Sequence, residues 1–270
     1  MNAIDRALNE FRSLDEMAGR DSALARLDPR AKLVVTLLFI VVVLSFDRYQ
    51  IASLLPFALF PIAAAVWGEV PLRPLLRKLV LALPFALMVG LFNPWFDRAP
   101  MLEIAGVTVS AGWVSLGAIL VRFALSMSAA LLLVATTGMN AVAGALGQLG
   151  APRAFSSQLL FLYRYLFVLG EEASHMATAA QLRSGGQPKL SFEIWTKLMG
   201  QLLVRAYERA QRIHMAMLAR GFDGEARSLR RLKWTPADTR FTLLCGAAFL
   251  LVRTFDLPQL LGEFLLRIAG

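Results

Sequence analysis

Cysteine and histidine are nearly missing from this 270-residue chain. Cys245 stands alone, which excludes an intrachain disulfide and a cysteine-ligated metal cluster. Histidine occurs only at positions 175 and 214. Each is followed by Met-Ala and neither has a second ligand at i+3 or i+4, so a His-rich metal site is excluded too. Charge is also scarce, 17% against about 25% in soluble domains. Apolar residues make up 57% and the mean hydropathy is +0.58, values that exclude a disordered chain and argue against a water-soluble globule.

Catalytic signatures are equally thin. None of the five lysines follows a glycine, so there is no Gly-Lys-Ser/Thr phosphate loop and no ATPase of that class. His-Glu-x-x-His and Gly-x-Ser-x-Gly do not occur, and no acid–His–Ser set forms. Glu171 and Glu172 are adjacent carboxylates on neighbouring helix faces, which reads as charge balance rather than acid–base chemistry. Acidic residues lie almost wholly outside the apolar runs, so the intramembrane carboxylate usual in a proton- or sodium-coupled carrier is missing. The first 30 residues are charged and lack an apolar core, so no cleavable signal peptide is expected.

Five apolar runs are present instead: 31–46, 51–67, 79–96, 113–138 and 241–252. A bilayer needs about 17–25 residues per helix. The last run therefore spans only if it extends to about 255 with Arg253 snorkelling outward. Pro56, Pro61 and Pro84 fall inside runs, which neighbouring helices can accommodate. Lysine and arginine placement gives the orientation. With the N-terminus inside and alternating runs, segments 1–32, 68–78 and 138–240 hold 23 of the 28. Arg48, Arg98, Arg253 and Arg267 fall outside, and Arg122 lies within the fourth run. The short loops alone give nine to four for the same answer. The net charge of +9 thus points to cytoplasmic loops, not to nucleic acid. The chain divides into a cytoplasmic segment 1–30, spans within 31–138, a cytoplasmic domain 139–239, and a last span with a C-terminal segment in 240–270.

Within the cytoplasmic domain, 140–150 reads as a short helix stopped by Gly150 and Pro152. A longer helix follows over about 154–183, with Leu159, Tyr163, Phe167 and Gly170 on one stripe. Its apolar front half suits the membrane interface or deep packing, and Arg183-Ser184-Gly185-Gly186 with Pro188 stops it. Another helix covers about 191–220, with Leu203, Tyr207, Ala210 and Met217 as its apolar stripe. Glu208 and Arg212 are a favourable i, i+4 pair, while Arg205, Arg209 and Arg212 fill a solvated face. Arg220-Gly221-Phe222 ends the helix. Both long helices thus close on an arginine with a small residue behind it.

Three stretches together resemble a family. Leu27-Asp28-Pro29-Arg30-Ala31-Lys32 leads into the first run, Leu162-Tyr163-Arg164-Tyr165-Leu166-Phe167 precedes the first arginine, and Met217-Leu218-Ala219-Arg220-Gly221-Phe222-Asp223 carries the second. In order, length and span count the chain is similar to the transmembrane (T) component of energy-coupling factor (ECF) transporters, above all the cobalt-type CbiQ family. The resemblance implies an all-α fold, a membrane bundle with a helical cytoplasmic coupling domain. It implies no catalysis and no cofactor in this chain, ATP being bound by two partner ATPase subunits. It implies that the chain links their opening and closing to a separate substrate-capture membrane subunit, in the bacterial inner membrane, with cobalt as the cargo and nickel or a vitamin as the alternatives. In that family two helix ends carry Ala-Arg-Gly or Ala-Arg-Ser motifs that dock into ATPase grooves. Ala219-Arg220-Gly221 matches fully. Arg183 and Ser184 match the other motif, Leu182 standing where the family has alanine, so the docking depth of that end is left open.

A cation in the last helical turn with glycine beyond it is also an ordinary helix end. The family motif sets the docking reading beside that one. Arg122 shares a face of the fourth run with Ser115, Ala118, Ser126 and Ala129. Small residues permit close helix approach, so this face packs against another helix or the capture subunit, unless the helix starts late enough to leave Arg122 at the interface. An integral membrane enzyme would need a convergent catalytic set, and a secondary carrier would need polar spans or an internal repeat. No convergent set is present, and only Arg122 qualifies as a polar residue of the spans.

Overall fold

The computed structural model describes residues 3–47, 49–97, 100–104, 107–185, 191–224 and 232–254. Arg48, Arg98 and Arg267, assigned above to the outer side, lie outside this set, as do Gly186, Pro188 and 255–270. The chain forms two compact units. One joins Met1–Glu16 to Met139–Arg231, and the other joins Met17–Gly138 to Leu232–Gly270. Among the described residues the architecture is all-α apart from one two-stranded ribbon.

The second of these units contains helix α2 (Pro29–Leu44), a 3₁₀ segment (Ala52–Ala58), α3 (Leu59–Trp67), α4 (Leu72–Gly90), the short α5 (Asn93–Phe96), α6 (Ala111–Thr137) and α10 (Pro236–Thr254). α2 is the centre of the unit and packs on α6 and α10. It starts where it does because Asp28 caps it, accepting the Arg30 N–H, and because Pro29 occupies the first position, where no N–H is needed. Phe39 is fully buried at its middle, with the rings of Phe60, Phe249 and Phe57 at 4.7, 5.3 and 6.1 Å. Aromatic packing at 4.5–7 Å adds specific geometry to dispersion, which in lipid is the main cohesive force between helices.

The periphery of this unit is apolar as well. Val80, Leu81, Phe85 and Met88 of α4 are all more than 60% exposed. Leu72–Trp95 and Ala111–Thr137 are long and apolar enough to cross a bilayer. At 1.5 Å per residue they reach about 36 and 40 Å, against a hydrocarbon core of about 30 Å. The run 51–67 is not one α-helix. Pro56 removes a backbone donor, and the chain winds as 3₁₀ before α3. The steeper 3₁₀ rise lets sixteen residues reach about 27 Å. The last run is longer than its apolar stretch, since α10 begins at Pro236 and has 19 residues. The segment after α5 contains β1 (Pro100–Ile104) paired antiparallel with β2 (Val107–Ser110), an element absent from the sequence reading. Met-Leu-Glu-Ile and Val-Thr-Val are short alternating stretches around Ala105-Gly106, the pattern of a hairpin.

The other unit holds α1 (Ala3–Ala18), α7 (Met139–Gln148), α8 (Arg153–Arg183) and α9 (Phe192–Leu218). The N-terminal segment is thus a helix, and it lies on α8. Tyr163 donates to Asp15 at 2.6 Å, Ser174 donates to Asp5 at 2.6 Å, and Arg12 sits 5.6 Å over the Phe167 ring and pairs with Glu171. Burial, and then the hydrogen bond to Asp15, push the Tyr163 phenol well above its usual pKa. Tyr163, Phe167 and Gly170 of the predicted stripe are therefore covered by α1. Gly170 makes the approach close, since a Cβ there would lie 2.6 Å from Leu8 Cδ2. Overpacking costs typically about 1–3 kcal/mol. Gly170→Leu should accordingly loosen α1, raising amide exchange across 3–18 by about tenfold or more. Adding Leu8→Ala should restore much of the protection. Exchange-coupled mass spectrometry of the purified chain reads both.

Candidate functional site: two arginine-ended helices

α8 and α9 carry the two arginine motifs, and Glu172 of α8 joins the helices. Its carboxylate lies 3.3 Å from both Arg205 and Arg209 of α9. Arg205 and Arg209 are therefore paired, not simply solvated. Arg212 meets Glu208 at 3.7 Å, the expected i, i+4 contact. The adjacent acids of α8 thus serve opposite neighbours, Glu171 holding α1 and Glu172 holding α9.

α9 has no buried residue. Leu198, Leu202, Ala206, Ile213 and Met217 are half-buried, whereas Leu203 and Tyr207 are 72% and 65% exposed. The stripe assigned from sequence is thus split. Ala210 and Met217 border the groove towards α8, and Leu203 and Tyr207 stand on a second apolar face that α8 does not cover. A groove of about 530 Å³ runs between the helices, lined by Phe161, Tyr165, Ile213, Met217 and Phe222, with His214 beside them.

The two helix ends close differently. At the end of α9, Gly221 N–H donates to Leu218 C=O and Phe222 N–H to Met217 C=O, both at 3.0 Å, and Gly221 has φ +76°. This is a Schellman closure, in which the residue after the cap must adopt the left-handed region. Phe222 then packs on Phe161 of α8 at 6.1 Å, and Ser157 donates to Gly224 C=O at 3.2 Å, fixing the turn. At the end of α8 the left-handed glycine is Gly185, φ +72°. Ser184 stands before it and donates to Gln181 C=O at 2.9 Å. Arg220 directly precedes its glycine, whereas Arg183 lies one residue further back, a turn of about 100° around the helix. Arg183, Ala219, Arg220 and Gly221 are all exposed. Among the described residues neither arginine has an ion-pair partner. Leu182 is 76% exposed, so nothing within the helical unit accounts for leucine in place of alanine.

Arg122 sits in the first half of α6, which begins at Ala111 and so starts no later than the apolar run. Its guanidinium donates to the Asp47 carbonyl, while its Nε and the Ser126 hydroxyl are buried without partners. Ser115 is buried and accepts from Asn93 Nδ2 at 2.9 Å. The face Ser115–Arg122–Ser126 is therefore turned at least partly inward, towards the short α5 and the loop after α2. Among the described residues no three His, Cys, Asp or Glu side chains cluster to hold a metal ion. His175 and His214 lie on separate helices, α8 and α9, and both are exposed.

The chain thus combines apolar-surfaced helices of spanning length with a helical unit that ends in two exposed arginines. The model of a cobalt transport protein family, CbiQ, matches residues 20–230. The energy-coupling factor transporter transmembrane protein EcfT of Limosilactobacillus fermentum is 30% identical over 242 residues, 81% of this chain and 88% of its own. The protein of that name from Bacillus subtilis is 28% identical over the same shares. The cobalt transport protein CbiQ of Rhodobacter capsulatus is 38% identical over 71 residues, 26% of this chain and 29% of its own. The chain belongs to the CbiQ family and is the transmembrane component of an energy-coupling factor transporter.

The closure at Gly221 belongs to the glycine, not to the arginine before it. A left-handed alanine costs about 1–2 kcal/mol. Gly221→Ala should accelerate exchange of the Phe222 amide about five- to thirtyfold. Arg220→Ala should leave that amide protected as before.

Proposed function

We propose that this chain couples two ATPase subunits to a substrate-capture membrane subunit, through Arg183-Ser184 and Ala219-Arg220-Gly221, and that it carries out no catalysis itself. The observation that carries the reading is selective pairing. Lys197, Arg205, Arg209 and Arg212 of α9 each meet a glutamate. Arg183 and Arg220, at the helix ends, meet none among the described residues. Exposed guanidiniums are suited to bidentate pairing with a carboxylate on another protein. The different registers of the two arginines fit two separate docking events rather than one continuous surface. The second apolar face of α9 offers a further contact surface on the same unit. The cargo on this reading is cobalt, supported by the family description and the Rhodobacter relative. The site is the bacterial inner membrane, with five spans and both the N-terminus and the 138–240 segment in the cytoplasm, supported by the lysine and arginine distribution.

A charge-assisted contact to a partner carboxylate contributes about 1.5–3 kcal/mol. Arg183→Glu or Arg220→Glu alone should weaken recovery of the ATPase by about one to two decades, and the pair should nearly abolish it. The chain itself should insert at normal levels, and cobalt uptake should fall with recovery. Normal uptake in the double variant would leave these residues as helix ends and nothing more. Cobalt is tested separately: nickel taken up in preference to cobalt by the intact complex would reassign the cargo without touching the coupling reading.

Orientation has its own check. In a Cys245→Ala background, an impermeant thiol reagent applied outside cells should label Gln50→Cys and miss Gln201→Cys, both positions being exposed. Labelling of position 201 would invert the topology.

A further inference from the structure

We propose that Asp28, Lys32 and Asp238 are positioning residues for coupling. Together they fix, within the membrane unit, two of the three places where the chain passes between it and the arginine-bearing unit, the end of α6 and the start of α10. The inference rests on the coupling reading above.

The outward place is the end of α6, whose last residue, Thr137, precedes Gly138, the boundary of the unit. The final carbonyls of a helix have no partner within it and carry the negative end of its dipole. Lys32 is only 4% exposed and donates from Nζ to Thr136 C=O at 2.9 Å. A buried ammonium is costly unless satisfied, so its presence in an apolar unit marks a bond that the fold maintains.

The return place is the start of α10, just after Leu232, where the unit resumes. In Thr235-Pro236-Ala237-Asp238 the acid reaches back over the helix start: Asp238 Oδ2 accepts the Thr235 N–H at 2.7 Å and its hydroxyl at 2.6 Å. Asp238 is 1% exposed, and its other oxygen accepts the Asp28 backbone N–H at 2.7 Å. Asp28 meanwhile caps α2 and receives the Arg30 guanidinium in a two-point contact, 3.0 Å on each oxygen. Arg30 also lies 5.6 Å over the Trp234 ring. Two carboxylates thus sit between two helix N-termini and one guanidinium, an arrangement whose opposing charges nearly balance.

One turn of α2 therefore grips the last turn of α6 and the first turn of α10. Helix ends fray more readily than helix middles. A displacement delivered to loose ends would be absorbed by local unwinding. Gripped ends pass it to α2, α6 and α10 as a body.

The test uses the assembled complex, with its ATPase and capture subunits, in membrane vesicles. Lys32→Met and Asp238→Asn should leave ATPase recovery and ATP hydrolysis within about twofold, while cobalt taken up per ATP hydrolysed falls by about fivefold or more, the lower end of ordinary coupling free energies. Lys32→Arg should preserve that ratio. Uptake and hydrolysis falling in proportion, or neither changing, would overturn the proposal. Should Lys32→Met or Asp238→Asn fail to insert, Lys32→Gln and Thr235→Ala carry the same comparison. Failure of all four to insert would assign the cluster to folding alone and also overturn it. The arginine reading is judged by ATPase recovery and this one by the ratio in complexes already assembled, so either can fail without the other.

Discussion

Inside a bilayer no water is on hand to satisfy a backbone donor or acceptor, and the apolar unit of this chain is arranged around that constraint. Its helices turn apolar faces both inward, around Phe39, and outward. Polar side chains gather at helix ends, where backbone groups would otherwise be orphaned. Asp28 and Asp238 satisfy N-termini, Lys32 a C-terminus, and Ser45 donates to Val42 C=O at the end of α2. Arg122 and Ser126 are exceptions, partway along α6 with a buried nitrogen and a buried hydroxyl unsatisfied.

The helical unit obeys a different rule. Its helices are held by acid–base and hydroxyl contacts spaced along α8, and its hydrophobic burial is modest. Asp5, Arg12 and Asp15 anchor α1 on one side, and Arg205 and Arg209 anchor α9 on the other. Contacts of this kind individually contribute little in water. Their value lies in register. They fix where along α8 each neighbour sits, and so where each arginine-ended terminus is held.

Much of this was legible in the sequence, and what was missed has physical causes. The ends of α8 and α9 were plain because a glycine that must be left-handed is a strong local signal, and both Gly185 and Gly221 have that conformation. The apolar runs of α2, α4 and α6 were plain because lipid demands length. α1 was missed because its charges drew attention away from Ile4 and Leu8, which recur at helical spacing. The early start of α10 was missed because Thr235-Pro236-Ala237-Asp238 is polar and lies ahead of the apolar stretch, although a threonine three residues before an acid is a capping signal. Period alone could not decide which stripe of α9 faces inward, since two stripes are apolar and only the neighbour chooses between them. The membership of the Asp28–Lys32 grip was likewise invisible, because its partners lie 104 and 210 residues away.

α9 is 27 residues long and buries none of them. A helix in that state is unfinished in the sense that quality control recognises. An orphan copy keeps Leu203, Val204 and Tyr207 in view of any chaperone or protease that surveys exposed apolar surface. On the coupling reading, the lifetime of the chain is tied to the supply of the subunit that covers that helix. Stoichiometry could then be enforced by clearance of the surplus, without any need to match synthesis.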